Sequence, residues 1–125
     1  MNKTLTLLFL IGLLTSCTNE PTPLSITSPS GTNSIDFHLS EDGQPYYLVN
    51  HNDQIVIDSS SIGFDFKDQE SLKGGLSIIN STTNTVNETW EMPWGEQRTV
   101  KNNYHEMLVS LRENSPKARK VNIRF

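Results

Sequence analysis

Apolar and polar residues alternate with a period of two along most of the chain after residue 24. Ile35, Phe37 and Leu39 are separated by single polar residues, and residues 121–125 alternate in the same way. Such alternation is typical of a β-strand that has one buried face and one exposed face. The pattern therefore predicts strands rather than helices for the larger part of the chain.

Turn residues interrupt this alternation roughly every eight to twelve positions. Asp42-Gly43 is a dipeptide that favours tight hairpins, and Gly74-Gly75 marks a further break. The predicted strands lie at residues 24–26, 35–39, 46–49, 55–57, 62–66, 76–79, 86–91, 99–103, 105–112 and 121–125.

Short strands at this spacing are typical of an antiparallel β-sandwich or barrel. No window shows the spacing of an amphipathic helix, so we expect an all-β fold, an antiparallel β-sandwich over residues 24–125. Phe125 stands in the middle of an alternating strand, with no turn signal after it. We therefore expect a truncated chain that holds an incomplete part of a larger sandwich.

The first sixteen residues carry a different pattern, a continuous apolar run that follows Lys3. At about ten residues it is shorter than the roughly twenty that span a bilayer as a helix. The run ends in Leu14-Thr15-Ser16-Cys17, which resembles the bacterial lipobox. We therefore expect a lipoprotein signal peptide at residues 1–16. Cys17 is then the lipidated residue, and residues 17–23 form a polar tether.

The position after the cysteine bears on where the protein is delivered. Thr18, not aspartate, follows Cys17, which by resemblance to Gram-negative sorting signals favours the outer membrane, on either its periplasmic or its outer face. We therefore expect the protein to be exported and anchored to a membrane by several lipid chains, which together anchor it more firmly than one chain alone.

Charge and composition exclude one class of partner. The formal net charge is -4 at pH 7, and the ten basic residues are scattered, whereas nucleic-acid binding needs a clustered basic surface. Hydrophobic residues make up only 34% of the chain, so we expect a lean core. Cys17 is the one cysteine, and it cannot form a disulfide within the chain.

The densest group of candidate functional residues lies at residues 88–98, where both tryptophans occur. Trp90 and Trp94 are accompanied by Glu91 and Glu96. Tryptophan rings stack on sugar rings and carboxylates bind sugar hydroxyls, so these four residues could contact carbohydrate. Aromatic residues of β-sandwiches also serve in packing, so an interdomain contact is the competing interpretation.

No complete catalytic or metal site is predicted. Glycoside hydrolysis uses a pair of carboxylates, but nothing in the spacing of the glutamates at residues 88–96 requires such a pair. His38, His51 and His105 are far apart and lack the spacing of metal ligands. We therefore assign no catalytic residue, no metal ligand and no cofactor to this chain.

Several segments together resemble glycoside hydrolase family 97. They are ITSPSG at 26–31, DGQPYY at 42–47, ETW at 88–90, PWGEQ at 93–97, NNYHE at 102–106 and NIRF at 122–125. The resemblance implies an α-glucosidase or α-galactosidase whose N-terminal β-sandwich precedes a (β/α)8 catalytic barrel and a small C-terminal β domain. It also implies calcium in the full-length enzyme. The resemblance further implies that the catalytic residues and most calcium ligands lie on the barrel, and that the sandwich supplies one glutamate ligand from a later segment. By this alignment the chain stops about midway through the sandwich, so none of these residues transfers to it.

Three interpretations follow, of which the first two are the main ones. The first is the non-catalytic N-terminal β-sandwich portion of a family 97 α-glycosidase, with the barrel as its partner and an α-linked oligosaccharide as a further contact. The second is a free-standing lipoprotein β-sandwich that binds carbohydrate or a protein partner. A third is a fragment that does not fold alone.

Overall fold

A computed structural model describes residues 24–125, and within that range the chain forms nine β-strands and no helix. The strands are β1 (Leu24–Thr27), β2 (Asn33–Leu39), β3 (Pro45–His51), β4 (Gln54–Ser61), β5 (Phe64–Phe66), β6 (Gln69–Leu72), β7 (Leu76–Glu91), β8 (Thr99–Glu113) and β9 (Lys120–Arg124).

The first four strands form one antiparallel sheet in the order β1-β2-β3-β4. Ile35 in β2 lies between Ile26 in β1 and Val49 in β3, so the alternating apolar residues of neighbouring strands meet on one face. The turn between β3 and β4 places Asn52 and Asp53 at φ 49° and 61°, a left-handed conformation that asparagine and aspartate tolerate. Local turn chemistry thus fixes the register that puts the apolar face inward.

Gly43 connects this sheet to the second one. Its φ is 73°, and a Cβ at this position would lie 2.6 Å from the backbone nitrogen and the carbonyl oxygen of Leu76. The amide of Leu76 donates to the carbonyl of Gly43 at 3.1 Å, and the amide of Gly75 donates to the carbonyl of Asp42 at 2.7 Å. A side chain at position 43 would therefore separate the β2–β3 turn from the start of β7.

The second sheet has the order β7-β8-β9 and contains the longest strands of the described chain. β7 has 16 residues and β8 has 15, and they pair along their whole length with one irregularity between Ile78 and Asn80. We predicted separate strands at 76–79 and 86–91, and again at 99–103 and 105–112, and this division was wrong. The intervening residues 80–85 are polar but rich in threonine, which suits an exposed extended strand.

The core lies between these two sheets. Its buried side chains are Phe37, Leu72, Leu76, Met107, Val109 and Leu111. The ring of Phe125 lies 5.8 Å from that of Phe37 and 5.9 Å from that of Tyr47, so the residue after β9 packs on the middle strands of the first sheet. Two antiparallel sheets facing each other across one apolar layer make an antiparallel β-sandwich, which confirms the predicted fold class.

A small hairpin of β5 and β6 is fastened to the second sheet by Arg119. Its guanidinium donates to both carboxylate oxygens of Glu113 at 2.7 and 2.8 Å, and to the carbonyls of Glu70 and Ser71 at 2.8 and 3.2 Å. The hydrogen bond from Arg119 lowers the pKa of Glu113 from 4.5 to about 2. Strand β6 was not predicted, because Gln69–Leu72 contains a single apolar residue.

The predicted signal peptide at residues 1–16, the lipidation site Cys17 and the tether at residues 17–23 lie outside the described residues. Within residues 24–125, no helix of the length and hydropathy needed to cross a membrane is found.

Candidate functional site

The β7–β8 hairpin has two parts that differ in their neighbours. In the base, residues 76–83 and 107–113, β8 is also paired with β9, which covers Leu108–Arg112. In the arm, residues 85–91 and 99–105, the two strands are paired only with each other among the described residues. Seven residues on each side make the arm roughly 20 Å long at the usual rise of a strand. The arm is therefore a two-stranded projection from the sandwich.

One contact fixes the arm where it leaves the sandwich. The imidazole Nδ1 of His105 donates to the backbone carbonyl of Thr27 in β1 at 2.6 Å. Beyond this point the cross-strand register alone determines which side chains share a face. The first face carries the pairs Trp90–Val100, Glu88–Asn102 and Val86–Tyr104, and the second carries Thr89–Lys101, Asn87–Asn103 and Thr85–His105.

The first of these faces, which we call the aromatic face, leaves large apolar groups in contact with solvent. Trp90 is 44% exposed and Tyr104 is 38% exposed, while Val86 and Val100 are half-buried. Between the aromatic pairs, Asn102 Nδ2 donates to Glu88 Oε1 at 2.7 Å. The second face carries only polar and charged residues, so the arm is amphipathic.

The tip of the arm, residues 92–98, is a loop closed by a hydrogen bond from the amide of Met92 to the carbonyl of Arg98 at 2.8 Å. Arg98 also forms an ion pair with Glu91 at 3.2 Å. An open concavity of about 580 Å³ is lined by Glu91, Met92, Pro93, Gly95 and Arg98. Trp94 is 84% exposed at this tip, so its ring is free to contact a ligand or another domain.

The four residues singled out from the sequence do not form one cluster. Glu91 lines the concavity at the tip, but Trp90, Trp94 and Glu96 do not. Trp90 belongs instead to the aromatic face of the arm. Sequence reasoning missed Arg98, which pairs with Glu91.

Sequence reasoning also missed the residues of the aromatic face other than Trp90. The signal that could have found them was the alternation of Val100, Asn102 and Tyr104 along β8, which becomes informative once the register with β7 is known.

The carboxylates of the arm and its tip lie at the surface. Glu88, Glu91 and Glu96 are all exposed, whereas the general acid of a glycosidase is normally held in surroundings that keep its proton. Within residues 24–125, no three His, Cys, Asp or Glu side chains are placed to hold a metal ion.

The three histidines each have a structural contact. His38 stacks on Tyr46 with ring centroids 5.0 Å apart, His51 donates to Asn33 Oδ1 at 2.7 Å, and His105 is bonded to Thr27 as described above.

The fold and the arm together define an antiparallel β-sandwich domain with a projecting, amphipathic hairpin. Comparison with known families then identifies it more closely. A family model described as "Glycosyl-hydrolase 97 N-terminal" matches residues 26–125. The chain therefore belongs to the glycosyl-hydrolase 97 N-terminal family, as the sequence motifs indicated.

Solved structures agree with this assignment. A Glycoside Hydrolase Family 97 enzyme from Pseudoalteromonas sp. strain K8, in complex with panose, is 27% identical with a TM-score of 0.74. The match covers 82% of this chain and 15% of that chain. The panose complex is that of a substituted variant, and a Glycoside Hydrolase Family 97 enzyme from the same strain, in complex with acarbose, gives the same values. A β-arabinopyranosidase shares the fold at 14% identity, with a TM-score of 0.69, over 82% of this chain and 16% of that chain. This chain thus spans less than a fifth of the length of these enzymes.

Proposed function

We propose that this chain is the non-catalytic N-terminal β-sandwich portion of a family 97 α-glycosidase and supports a (β/α)8 catalytic barrel outside residues 1–125. The single observation that carries this proposal is the family match over residues 26–125. The low share of the relative that is matched, 15%, agrees with it, because a supporting domain occupies only part of an enzyme. The catalytic carboxylates and most of the calcium ligands of the family would then belong to the barrel.

A contact with oligosaccharide at the tip of the arm is part of the proposal. Trp94 presents an exposed ring, and the ion pair of Arg98 with Glu91 lines a concavity beside it. Planar charged groups next to an aromatic ring can bind sugar hydroxyls while the ring stacks on the sugar. The relative from Pseudoalteromonas is in complex with panose and with acarbose, which supports an α-linked oligosaccharide as the ligand class.

The proposed location is the outer membrane, through lipid on Cys17. The support is the apolar run that ends in Leu14-Thr15-Ser16-Cys17. Mass spectrometry of the mature N-terminus should find a lipid-modified cysteine, and Cys17→Ala should move the protein from the membrane fraction to the soluble fraction. An unmodified Cys17 in the mature protein would contradict this part of the proposal.

The test of the proposed function uses the natural product in its own cells. An antibody raised against residues 24–125 should detect a polypeptide several times heavier than the 14.1 kDa of this chain, and the captured material should hydrolyse an aryl α-glucoside or α-galactoside. A captured product no heavier than the 14.1 kDa of this chain, without this activity, would contradict the proposal and favour a free-standing lipoprotein.

The complementary experiment uses residues 18–125 alone. We expect no turnover of the same two substrates, because the three glutamates of the arm and tip, Glu88, Glu91 and Glu96, are all exposed. Turnover that is abolished by Glu91→Gln or Glu96→Gln would show that the catalytic site lies in this chain.

A further inference from the structure

Strand β8 directs its backbone groups alternately toward β7 and toward β9. In an antiparallel sheet the N–H and C=O of one residue point to the same edge, and those of the next residue point to the other edge. The amide of Met107 donates to the carbonyl of Phe125 at 3.0 Å, and the amide of Glu113 donates to the carbonyl of Arg119 at 2.9 Å. The odd-numbered residues of β8 therefore direct their backbone groups to the β9 side of the strand, and the even-numbered residues direct theirs to β7.

Along the arm, the β9 side of β8 is a free edge. By the same alternation, Lys101, Asn103 and His105 direct their amides and carbonyls to this side, where no other strand of residues 24–125 is paired with them. All three residues are exposed. A row of unpaired backbone donors and acceptors is a surface to which an extended segment can add as a strand. The partner that fits this edge is therefore a β-strand, and a third strand would stabilise a hairpin that is marginal on its own.

The pairing of β8 with β9 reaches the beginning of this free edge without interruption. Its register is regular over the whole β8–β9 ladder. Phe125 continues that register, because it accepts from the amide of Met107 at 3.0 Å and donates to the carbonyl of Met107 at 2.9 Å. A strand that continued beyond Phe125 in this register would place its second residue opposite His105 and its fourth opposite Asn103. The polypeptide that follows Phe125 is therefore the strand that fits the free edge.

A cavity beside Phe125 supports the same occupant independently. It has a volume of about 130 Å³ and a mainly apolar lining, which includes Ile26, Ile35, His105 and Phe125. The ring of Phe125 faces the first sheet, where it lies 5.9 Å from the ring of Tyr47. Since side chains two positions apart share a face of a strand, the second residue after Phe125 would point the same way, opposite His105 and toward this cavity. Packed interiors leave few voids larger than a water molecule, so this residue should be apolar.

We propose that strand β9 continues beyond Phe125 in the parent enzyme and forms the third strand of the arm. It pairs with the free edge of β8 in the register already set, and the second residue after Phe125 places an apolar side chain in the cavity beside His105. This inference rests on the proposed function, which places further polypeptide outside residues 1–125. It adds to that function the edge that is used, the register of the pairing and the chemistry of one side chain.

Hydrogen exchange of the antibody-captured natural product, resolved to single amides by electron-transfer fragmentation, tests this pairing within one molecule. The amides of Lys101, Asn103 and His105 should exchange no more than about threefold faster than the even-numbered amides of the arm, which are directed to β7. The amides of the second, fourth and sixth residues after Phe125 should be slow as well, because each would donate to β8. The same fragmentation gives the sequence after Phe125, in which the second residue should be apolar.

A matched pair of variants tests the edge through the amide of residue 103. Proline has no amide hydrogen, and a strand tolerates it where that hydrogen would face solvent. In the natural product, Asn103→Pro should therefore speed exchange at Lys101 and His105 by at least about tenfold, whereas Asn103→Ser, which keeps the amide, should leave both rates unchanged. If Asn103→Pro prevents accumulation of the product, exchange in the unaltered protein still decides the question.

The outcomes that overturn the inference differ from those that overturn the function. A long, active product in which Lys101, Asn103 and His105 exchange at least about tenfold faster than their even-numbered neighbours would leave the proposed function standing and remove the third strand. Slow exchange at these three amides, combined with fast exchange after Phe125, would assign the edge to a different segment and also overturn the inference. A charged second residue after Phe125 would contradict the packing in the cavity. A product of this chain's own size would remove both proposals.

Discussion

The base and the arm of the β7–β8 hairpin share one continuous ladder of backbone hydrogen bonds, but different neighbours surround them. In the base, Val109 and Leu111 are completely buried and a third strand is paired with β8. In the arm, no third strand is present among the described residues, and Trp90 and Tyr104 contact solvent. The comparison shows that strand pairing and burial are separate properties, and that of the two parts of the hairpin only the base contributes buried side chains to the core.

The two regions differ more sharply in which face of the hairpin is apolar than in how far their side chains are buried. In β8 the base buries the odd-numbered Met107, Val109 and Leu111 in the core. The apolar residues of the arm in the same strand, Val100 and Tyr104, stand at even-numbered positions, which point to the opposite face. The alternation that places apolar side chains in the core of the base is thus reversed in the arm. The aromatic side chains of the arm stay exposed there and are available to a partner.

The largest expected difference between base and arm is in stability. Val109→Ala removes a completely buried side chain and should lower the free energy of unfolding of residues 18–125 by about 2–3 kcal/mol. Val100→Ala, in the same strand but on the arm, should lower it by under about 1 kcal/mol. Urea unfolding of both variants measures the two values. Equal losses would show that the arm is part of the core.

A smaller effect should appear on acidification, and only in the base. Because the pKa of Glu113 is about 2 in the folded protein and 4.5 in its unperturbed form, the stabilisation from its pair with Arg119 is complete above about pH 4.5. It is lost as the pH falls from there toward 2. The urea midpoint, measured from pH 2 to 7, should decrease as the pH is lowered through this window, and Glu113→Gln should make this decrease smaller.

The matched control for this experiment lies on the arm. Glu91→Gln removes an ion pair whose side chains are 66% and 81% exposed, and such pairs contribute little to stability. It should leave the pH dependence unchanged. A decline that Glu113→Gln does not alter, or that Glu91→Gln alters equally, would contradict the assignment to Glu113.

The smallest expected effect on stability is at the tip. Trp94→Ala should change the free energy of unfolding of residues 18–125 by less than about 0.5 kcal/mol, because the side chain is 84% exposed. In residues 18–125 alone, where no turnover is expected, the same substitution should weaken binding of panose, measured by calorimetry. A large loss of stability in the isolated chain would show that Trp94 packs within the sandwich.

Much of the fold was predictable because it depends on local chemistry. The alternation of Ile35, Phe37 and Leu39 and the Asp42-Gly43 turn each specify structure within a few residues, and the first four strands follow from them. The continuity of β7 and β8 was not predictable from polar residues 80–85, because their strand conformation depends on pairing with a partner distant in sequence.

The candidate site was predictable only in part. Trp90 and Trp94 were found because tryptophan is rare and large. Two features depend on the register between the two strands, which the residue pattern alone does not provide. They are the ion pair of Arg98 with Glu91 and the position of Tyr104 on the same face as Trp90. The reversal of the apolar face was present in the alternation, but it acquires meaning only once Met107 and Val109 are known to be buried.

Hydrogen exchange, followed along β7 and β8 in residues 18–125, examines the difference between base and arm in one experiment. The amides of residues 85–91 and 99–105 should exchange at least about tenfold faster than those of Met107 to Leu111, because a hairpin of two strands without a third neighbour opens locally. The amides of Met107 to Leu111 should be slow, because their strand is paired on both sides and lies against the core. Arm amides that exchange as slowly as those of the base would contradict the distinction between the two regions.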